Sequence, residues 1–236
     1  MANPDPSRPA SACHVCGGLE FLDRPVLWPE LIDTWELTPA EVRYVDEQQG
    51  SCCTRCGSNV RSIALARAIL QYLGHAGPLS SLVGDPDVRA ANLLEINDAG
   101  TLHPWLAQLR GHQLGSYPDL DMMAMTYPDA HFDLVVHSDT LEHVPDPEKA
   151  LSEVLRILKP GGATIFTVPV IVGRLTRNRQ GLPASYHGRP GCESADLRVV
   201  TEFGADFWAS LLKAGFRSVE LVGYRFPAGI ATIARK

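Results

Sequence analysis

The segment from residue 128 to 169, PDAHFDLVVHSDTLEHVPDPEKALSEVLRILKPGGATIFTVP, leaves the chain few folds to choose from. An apolar run, Phe132 to His137, precedes an amphipathic helix, and a second apolar run, Ala163 to Val168, follows it. Asp146 is placed to cap that helix and Pro147 suits its first position. Ala150, Leu151, Val154, Leu155 and Leu158 make one buried stripe. Pro160-Gly161-Gly162 is expected to end it.

The same alternation runs from residue 92 to the C-terminus. Further strands are predicted at Asn92 to Ile96, Gln113 to Ser116, Ser218 to Val222 and Ile230 to Ala234, the last two close enough to form a hairpin. A helix is predicted over Gly204 to Ala214. Alternating strands and helices imply an α/β fold whose mostly parallel sheet is covered on both faces. The turn in LLEINDAGTL, residues 93 to 102, lies between the first strand and a helix start at Thr101-Leu102-His103-Pro104-Trp105. Such a turn is where α/β proteins usually bind a ligand, although Gly100 is its only glycine.

Five of the six cysteines precede residue 57. Cys13-His14-Val15-Cys16-Gly17 and Cys53-Thr54-Arg55-Cys56-Gly57 are two CxxCG knuckles. Two residues between thiolates let one turn present both sulfurs to one ion, and two such turns complete a closed four-sulfur shell of the kind that holds structural Zn2+. Cys13, Cys16, Cys53 and Cys56 are therefore the candidate ligands, with Cys52 a neighbour. Reduced cysteines without metal are the alternative. Ser58 is placed to cap a helix from Arg61 to Leu73, and GHAGPLSSLVGDPDVRA reads as a linker.

A chain of 236 residues with net charge −6 and pI near 5.7 has no broad basic footprint for nucleic acid or an anionic membrane surface. Its first ten residues are polar and proline-rich, without a signal-peptide core, and ATIFTVPVIVG is too short to span a bilayer. A cytoplasmic protein is expected.

The segment 128 to 169 resembles the second half of a class I S-adenosylmethionine-dependent methyltransferase domain of the large group acting on small molecules. It shows that family's Phe-Asp pair opening a strand, LEHV after it, a helix of EVLRILKPGG type and a strand ending in proline. The resemblance covers about residues 92 to 168 and extends through the closing hairpin. A bacterial subgroup with CxxCG knuckles is similar at the N-terminus. The resemblance implies a Rossmann-like doubly wound sheet ending in an antiparallel hairpin. Between Tyr117 and Phe132 there is too little chain for the usual helix and strand, which leaves the sheet one strand short. The expected organisation is a disordered tail (1–11), a zinc module (12–60), a connecting helix and linker (61–91) and a methyltransferase-like domain (92–236).

The resemblance also implies cofactor contacts. Glu95 matches the strand-end acid that holds the cofactor's ammonium group; a carboxylate capping local amides is the alternative. Amides of Asn97 to Gly100 approach the cofactor's carboxylate. No acid stands where the family grips the ribose; Ser116, Asp119 or a water is the substitute. Asp121 and Met122 match the adenine loop, with core filling the alternative for the methionine. His137, Ser138 and Asp139 line the mouth, with a backbone contact from Ser138, and Glu142 and His143 orient the acceptor.

The insertion 171 to 203 is read as a substrate loop. Arg174, Arg177, Arg179 and Arg189 suit an anionic acceptor, or form a solvated basic loop; Tyr186 positions the acceptor and His187 is the candidate base, with His143 a second. Methyl transfer to an oxygen or nitrogen of a small molecule is the leading expectation. A zinc-stabilised binding or regulatory protein on a degenerate scaffold is the alternative, and RNA methylation a third reading.

Overall fold

The computed structural model describes residues 12–82, 91–186 and 194–236. The N-terminal part carries β1 (Phe21–Asp23), α1 (Pro29–Thr34), α2 (Pro39–Gly50), β2 (Ser51–Cys53), α3 (Val60–Leu73) and α4 (Leu79–Leu82). Thr38 starts α2 through a reciprocal capping box with Glu41. The cap of α3 is Asn59, whose side chain accepts from the Ser62 amide at 2.9 Å, rather than the expected Ser58. Ser58 is instead taken up by Cys56 Sγ and by Thr101, to whose Oγ1 it donates at 2.7 Å. α4 lies within the stretch read as a linker.

The second part contains β3 (Leu93–Ile96), a 3-10 turn at Gly100–Leu102 leading into α5 (His103–Leu106), β4 (His112–Gly115), β5 (Phe132–Ser138), α6 (Pro147–Ile157) and β6 (Leu158–Thr167). It continues through β7 (Val170–Ile171), β8 (Arg177–Asn178), β9 (Thr201–Gly204), α7 (Trp208–Ala214), β10 (Ser218–Tyr224) and β11 (Gly229–Arg235). The main sheet has six strands in the order β10-β11-β6-β5-β3-β4. β4, β3, β5 and β6 run parallel, and β11 is antiparallel to both β6 and β10. This is a Rossmann-like α/β sheet with an antiparallel closing hairpin. It ends at β4 because residues 116–131 form turns instead of a further strand.

Side chains alternate across the strands with period two. Leu93, Leu134, Val136, Ala163 and Ile165 share one buried cluster with Ile63, Leu65 and Ile69 of α3. Leu94, Ile96, Val135 and Phe166 join Leu151 and Val154 of α6 and Leu211 of α7 on the other side. The helix read as a connection thus covers one sheet face, and Cys13, Val15 and Cys53 belong to the same cluster as α3.

Three local expectations are corrected. α6 ends at Ile157, and Pro160-Gly161-Gly162 lies inside β6. Proline disfavours helical backbone in the residue before it, so Lys159 is already extended, and its ammonium meets Asp133 across the strands at 2.7 Å. Gly161, at φ 80, accompanies a register shift between Phe132 and Leu134. The predicted helix over 204–214 begins only at Trp208, because Thr201–Gly204 is a fully buried strand. That strand is the centre of a second sheet, β7-β9-β8, built from the insertion read as a loop. Among the described residues no helix is long and apolar enough to cross a membrane.

Candidate functional site

The two knuckles fold alike. Gly17 donates to the Cys13 carbonyl at 2.7 Å and Gly57 to that of Cys53 at 2.8 Å, with φ of 78 and 76 at the two glycines. All four sulfurs fall within 4.8 Å of one another; Cys13 and Cys56 are 3.6 Å apart and Cys16 and Cys53 3.7 Å. Four sulfurs held about 2.3 Å from one tetrahedral ion lie about 3.8 Å apart along each edge, so the set fits Zn2+, whereas a disulfide needs about 2.0 Å. Burial pushes the Cys13 thiol far above its ordinary range in the absence of a cation. Cys52 turns away, with its thiol 3.9 Å from the Gln49 carbonyl.

The chain leaves β3 for β4 on one side and returns to β5 on the other, so the ends of β3 and β5 form the switch point of the sheet. A cavity of about 720 Å³ opens there. Asn97, Gly100, Asp121, Met122, Ser138, Asp139 and His143, all expected from the sequence, stand in its walls together with Asp98 and Arg61. Gly100 has φ 63, and a Cβ built on it meets nothing within 4 Å, so the turn presents open space to the cavity.

Ser116, Glu95 and His137 are not in those walls. His137 is fully buried and stacks on Phe166 at 4.6 Å, and burial lowers its pKa to about 3. Glu95 shares the α3 side of β3 with Leu93. Its carboxylate is wholly buried and accepts from the Ala99 amide at 2.8 Å, His103 Nδ1 at 2.8 Å and His112 Nε2 at 2.6 Å. It therefore pins the turn 97–100 from behind. The hydrogen bond to Glu95 raises the His103 pKa above its ordinary value. A histidine held high stabilises the fold fully below pH about 6.5 and loses that contribution as pH rises through its folded value. Glu95→Gln is accordingly expected to lower the melting temperature more at pH 6 than at pH 9, as read by thermal melts across that range; an equal loss at both would remove the ion pair from the explanation.

A second cavity, of about 440 Å³, lies between the cysteine module and the main sheet. Trp28, Leu31, Trp35 and Leu37 form its module side; Val170, Ile171 and Tyr186 form the other. Arg61, Asp139, His143 and Leu197 line both cavities. Arg61 and Asp139 form an ion pair at this junction. Burial raises the Asp139 carboxyl, and burial followed by the Asp139 charge holds Glu142 well above the usual carboxylate range. Glu142 is buried and lines neither cavity. The Arg198 carbonyl, 2.9 Å from His143 Nδ1, can only accept, so that nitrogen carries the proton and the lone pair is on Nε2. Burial lowers the pKa of His143, keeping the imidazole neutral.

Three arginines of the insertion are engaged within the fold. Arg174 bridges Glu41 of α2, at 2.9 Å, and the carbonyls of Trp35 and Glu36. Arg177 and Arg179 both pair with Glu202 of β9, and Arg179 also lies over the Trp35 ring at 5.1 Å. His187, Arg189 and Cys192 lie outside the described residues.

Residues 100–166 match the methyltransferase-domain family. The match covers α5 through β6, including one wall of the larger cavity. A Psychromonas ingrahamii ubiquinone/menaquinone biosynthesis C-methyltransferase is 32% identical over 120 residues, 46% of each chain. A Mycobacterium avium protein named as an uncharacterized methyltransferase is 27% identical over 119 residues, 50% of this chain and 46% of that one. The chain thus spans about half the length of the curated relatives it matches. A solved S-adenosylmethionine-dependent methyltransferase from Mesorhizobium loti superposes with TM-score 0.42 at 15% identity, over 73% of this chain and 98% of that one.

Several lining residues escaped the sequence reading, Arg61 and Asp98 among them. Arg61 sits in a helix whose apolar stripe drew attention to packing, and Asp98 occupies a place where the motif expects a small residue. The nearest signal for Arg61 was its charge beside that stripe.

Proposed function

We propose that the protein transfers a methyl group from S-adenosylmethionine to an oxygen or nitrogen of a small acceptor, in a cytoplasmic setting, with a structural Zn2+ on Cys13, Cys16, Cys53 and Cys56. The observation that carries this reading is the meeting of two cavities at Arg61, Asp139 and His143, one of them at the switch point of the sheet. The larger would seat the cofactor, which when bound supplies an electrophilic methyl on a sulfonium. The smaller would seat the acceptor.

Cofactor and site are electrostatically matched. Asp98, Asp121, Asp139 and Asp196 line the larger cavity, against Arg61 as its one charged base among the described lining residues, which suits a cationic sulfonium and an ammonium group. Asp98 and Asp139 bring to the wall the carboxylates that Glu95 does not. Asp121 would accept from the adenine amino group, with Met122 against the ring; Asn97, Gly100 and Ser138 line the methionine and ribose end, and Tyr117 stands near the place of the absent ribose acid. His143, whose ring lines both cavities with Nε2 3.7 Å from Glu142 Oε1, is a candidate base at the junction, and Tyr186 would position the acceptor. His187 remains the other candidate base.

Isothermal titration with S-adenosylmethionine tests the reading. Saturable binding is expected, weakened about tenfold by Asp121→Ala through loss of one charge-assisted hydrogen bond. His143→Ala and His187→Ala are expected to spare that binding while one of them lowers turnover by about 10²-fold or more. Absence of binding at millimolar cofactor would overturn the enzyme reading in favour of a non-catalytic binding protein.

A further inference from the structure

The junction between the cavities is polar and incompletely paired. The Arg61 side chain is 9% exposed and meets Asp139; its Nη2 also donates to Gln49 Oε1 at 2.8 Å. Its Nε and Nη1, and Oδ1 of Asp139, are buried without a hydrogen-bond partner among the described residues. These unpaired atoms belong to two residues that line both cavities, so polar groups without partners stand at the junction. Apart from Gln48, Gln49 and His143, the rest of the smaller cavity's walls are apolar and ring-rich, with Trp28, Leu31, Trp35, Ile171 and Tyr186.

We propose that this cavity receives a planar aromatic molecule whose neutral hydroxyl sits at the junction, donating to Asp139 and accepting from Arg61. The inference rests on the methyl-transfer reading and names its acceptor class, a phenol. A hydroxyl gives a proton to the carboxylate and accepts from the guanidinium through one atom, which neither a carboxylate nor a protonated amine does. A carboxylate has no proton for Asp139 and would add a second negative charge beside it. The Arg61 charge is already matched by Asp139, so it exerts no net pull on an anion. A protonated amine would face the guanidinium. A ring without a head group would bury three polar atoms unpaired. The anionic acceptor suggested by the basic insertion is thus disfavoured twice, since Arg174, Arg177 and Arg179 are held by Glu41 and Glu202.

The test is calorimetric titration of the full chain, metal-replete and without cofactor, with 2-naphthol, 2-methoxynaphthalene and 2-naphthoate. Saturable binding of 2-naphthol is expected, with the ether and the carboxylate each about tenfold weaker or worse, the loss expected for one buried hydrogen bond to a charged group. Asp139→Ala should bring 2-naphthol down to the level of the ether, and Trp28→Ala should weaken all three ligands alike. If Asp139→Ala does not fold, as judged by circular dichroism, the ligand series on the natural chain decides alone. Equal binding of naphthol and ether, tighter binding of the carboxylate, or no binding of any ligand overturns the proposal. Cofactor binding without a hydroxyl preference would sink the acceptor class and leave methyl transfer standing. Hydroxyl-dependent binding without cofactor binding would do the reverse.

Discussion

Cys53→Ser is expected to strip the metal from the protein and to lower the melting temperature of the whole chain by roughly 10 °C or more. Structural zinc sites carry about 10–16 kcal/mol of apparent binding free energy in isolated finger peptides. That is comparable with the entire stability of an ordinary domain, about 5–15 kcal/mol. Here Cys13, Val15 and Cys53 are packed in one cluster with Ile63 and Leu65 of α3 and Ile165 and Ile233 of the sheet. The module therefore cannot open without exposing apolar surface on the main domain, and at about 2–4 °C per kcal/mol for a chain of this size a loss of about 4 kcal/mol gives the stated shift. Metal analysis should find one zinc per chain before the substitution and none after it. Cys52→Ser is the control, because its thiol lies off the cluster, and should leave both metal and melting temperature unchanged. A Cys53 variant that melts like the natural protein would remove the structural role of the ion.

Arg61→Leu should destabilise the fold by about 3–5 kcal/mol, the usual cost of leaving a buried charge without its partner. Both Asp139 and Glu142 lie within the electrostatic reach of this guanidinium, which lowers their otherwise raised pKa values. Carboxyls whose folded pKa is raised stabilise fully below the unfolded value near 4, and that contribution is lost as pH rises through the folded value. Removing the cation raises the folded values further. The deficit of the variant is therefore expected to be greatest above pH 7 and to narrow towards pH 5. Urea denaturation at the two pH values measures this, and adding Asp139→Asn to Arg61→Leu should restore a good part of the loss at pH 7.5. A deficit that is independent of pH would mean that Arg61 acts through packing of its aliphatic stem.

The reach of the two cavities explains why the module matters beyond stability. Trp28, Leu31 and Trp35 come from residues between the knuckles, and they make one side of the smaller cavity. Trp35 is fixed by Ser185, which accepts from its indole at 2.7 Å, by Arg179 over its ring and by Arg174 at its carbonyl. The insertion and the module thus clamp one another around the space proposed for the acceptor.

Features governed by short-range spacing were legible in the sequence. Asp146, Pro147 and the apolar stripe define the start and the buried face of α6, because capping and 3.6-residue periodicity act inside a single helix. The six main strands, the closing hairpin and the strand missing after β4 follow from alternation and from the length of chain available. The knuckles are local for the same reason: each needs only a four-residue turn and a glycine that tolerates positive φ.

Long-range pairing was not legible. Thr201–Gly204 has no helical or strand signature of its own strength, and becomes a strand because β7 and β8 supply partners on both sides. Arg174 and Arg179 look like a free basic surface until Glu41 and Glu202 are brought to them from distant segments. Glu95 was identifiable as an acid at a strand end, but its direction depends on His103 and His112, whose imidazoles converge on it only in the folded sheet. The sequence by itself determined the α/β alternation, the two cysteine pairs and the location of the turn at the end of β3, since backbone propensity and near-neighbour geometry suffice for these. Tertiary structure alone decided which charged groups face the cavities, because a buried charge settles wherever the fold brings it a partner.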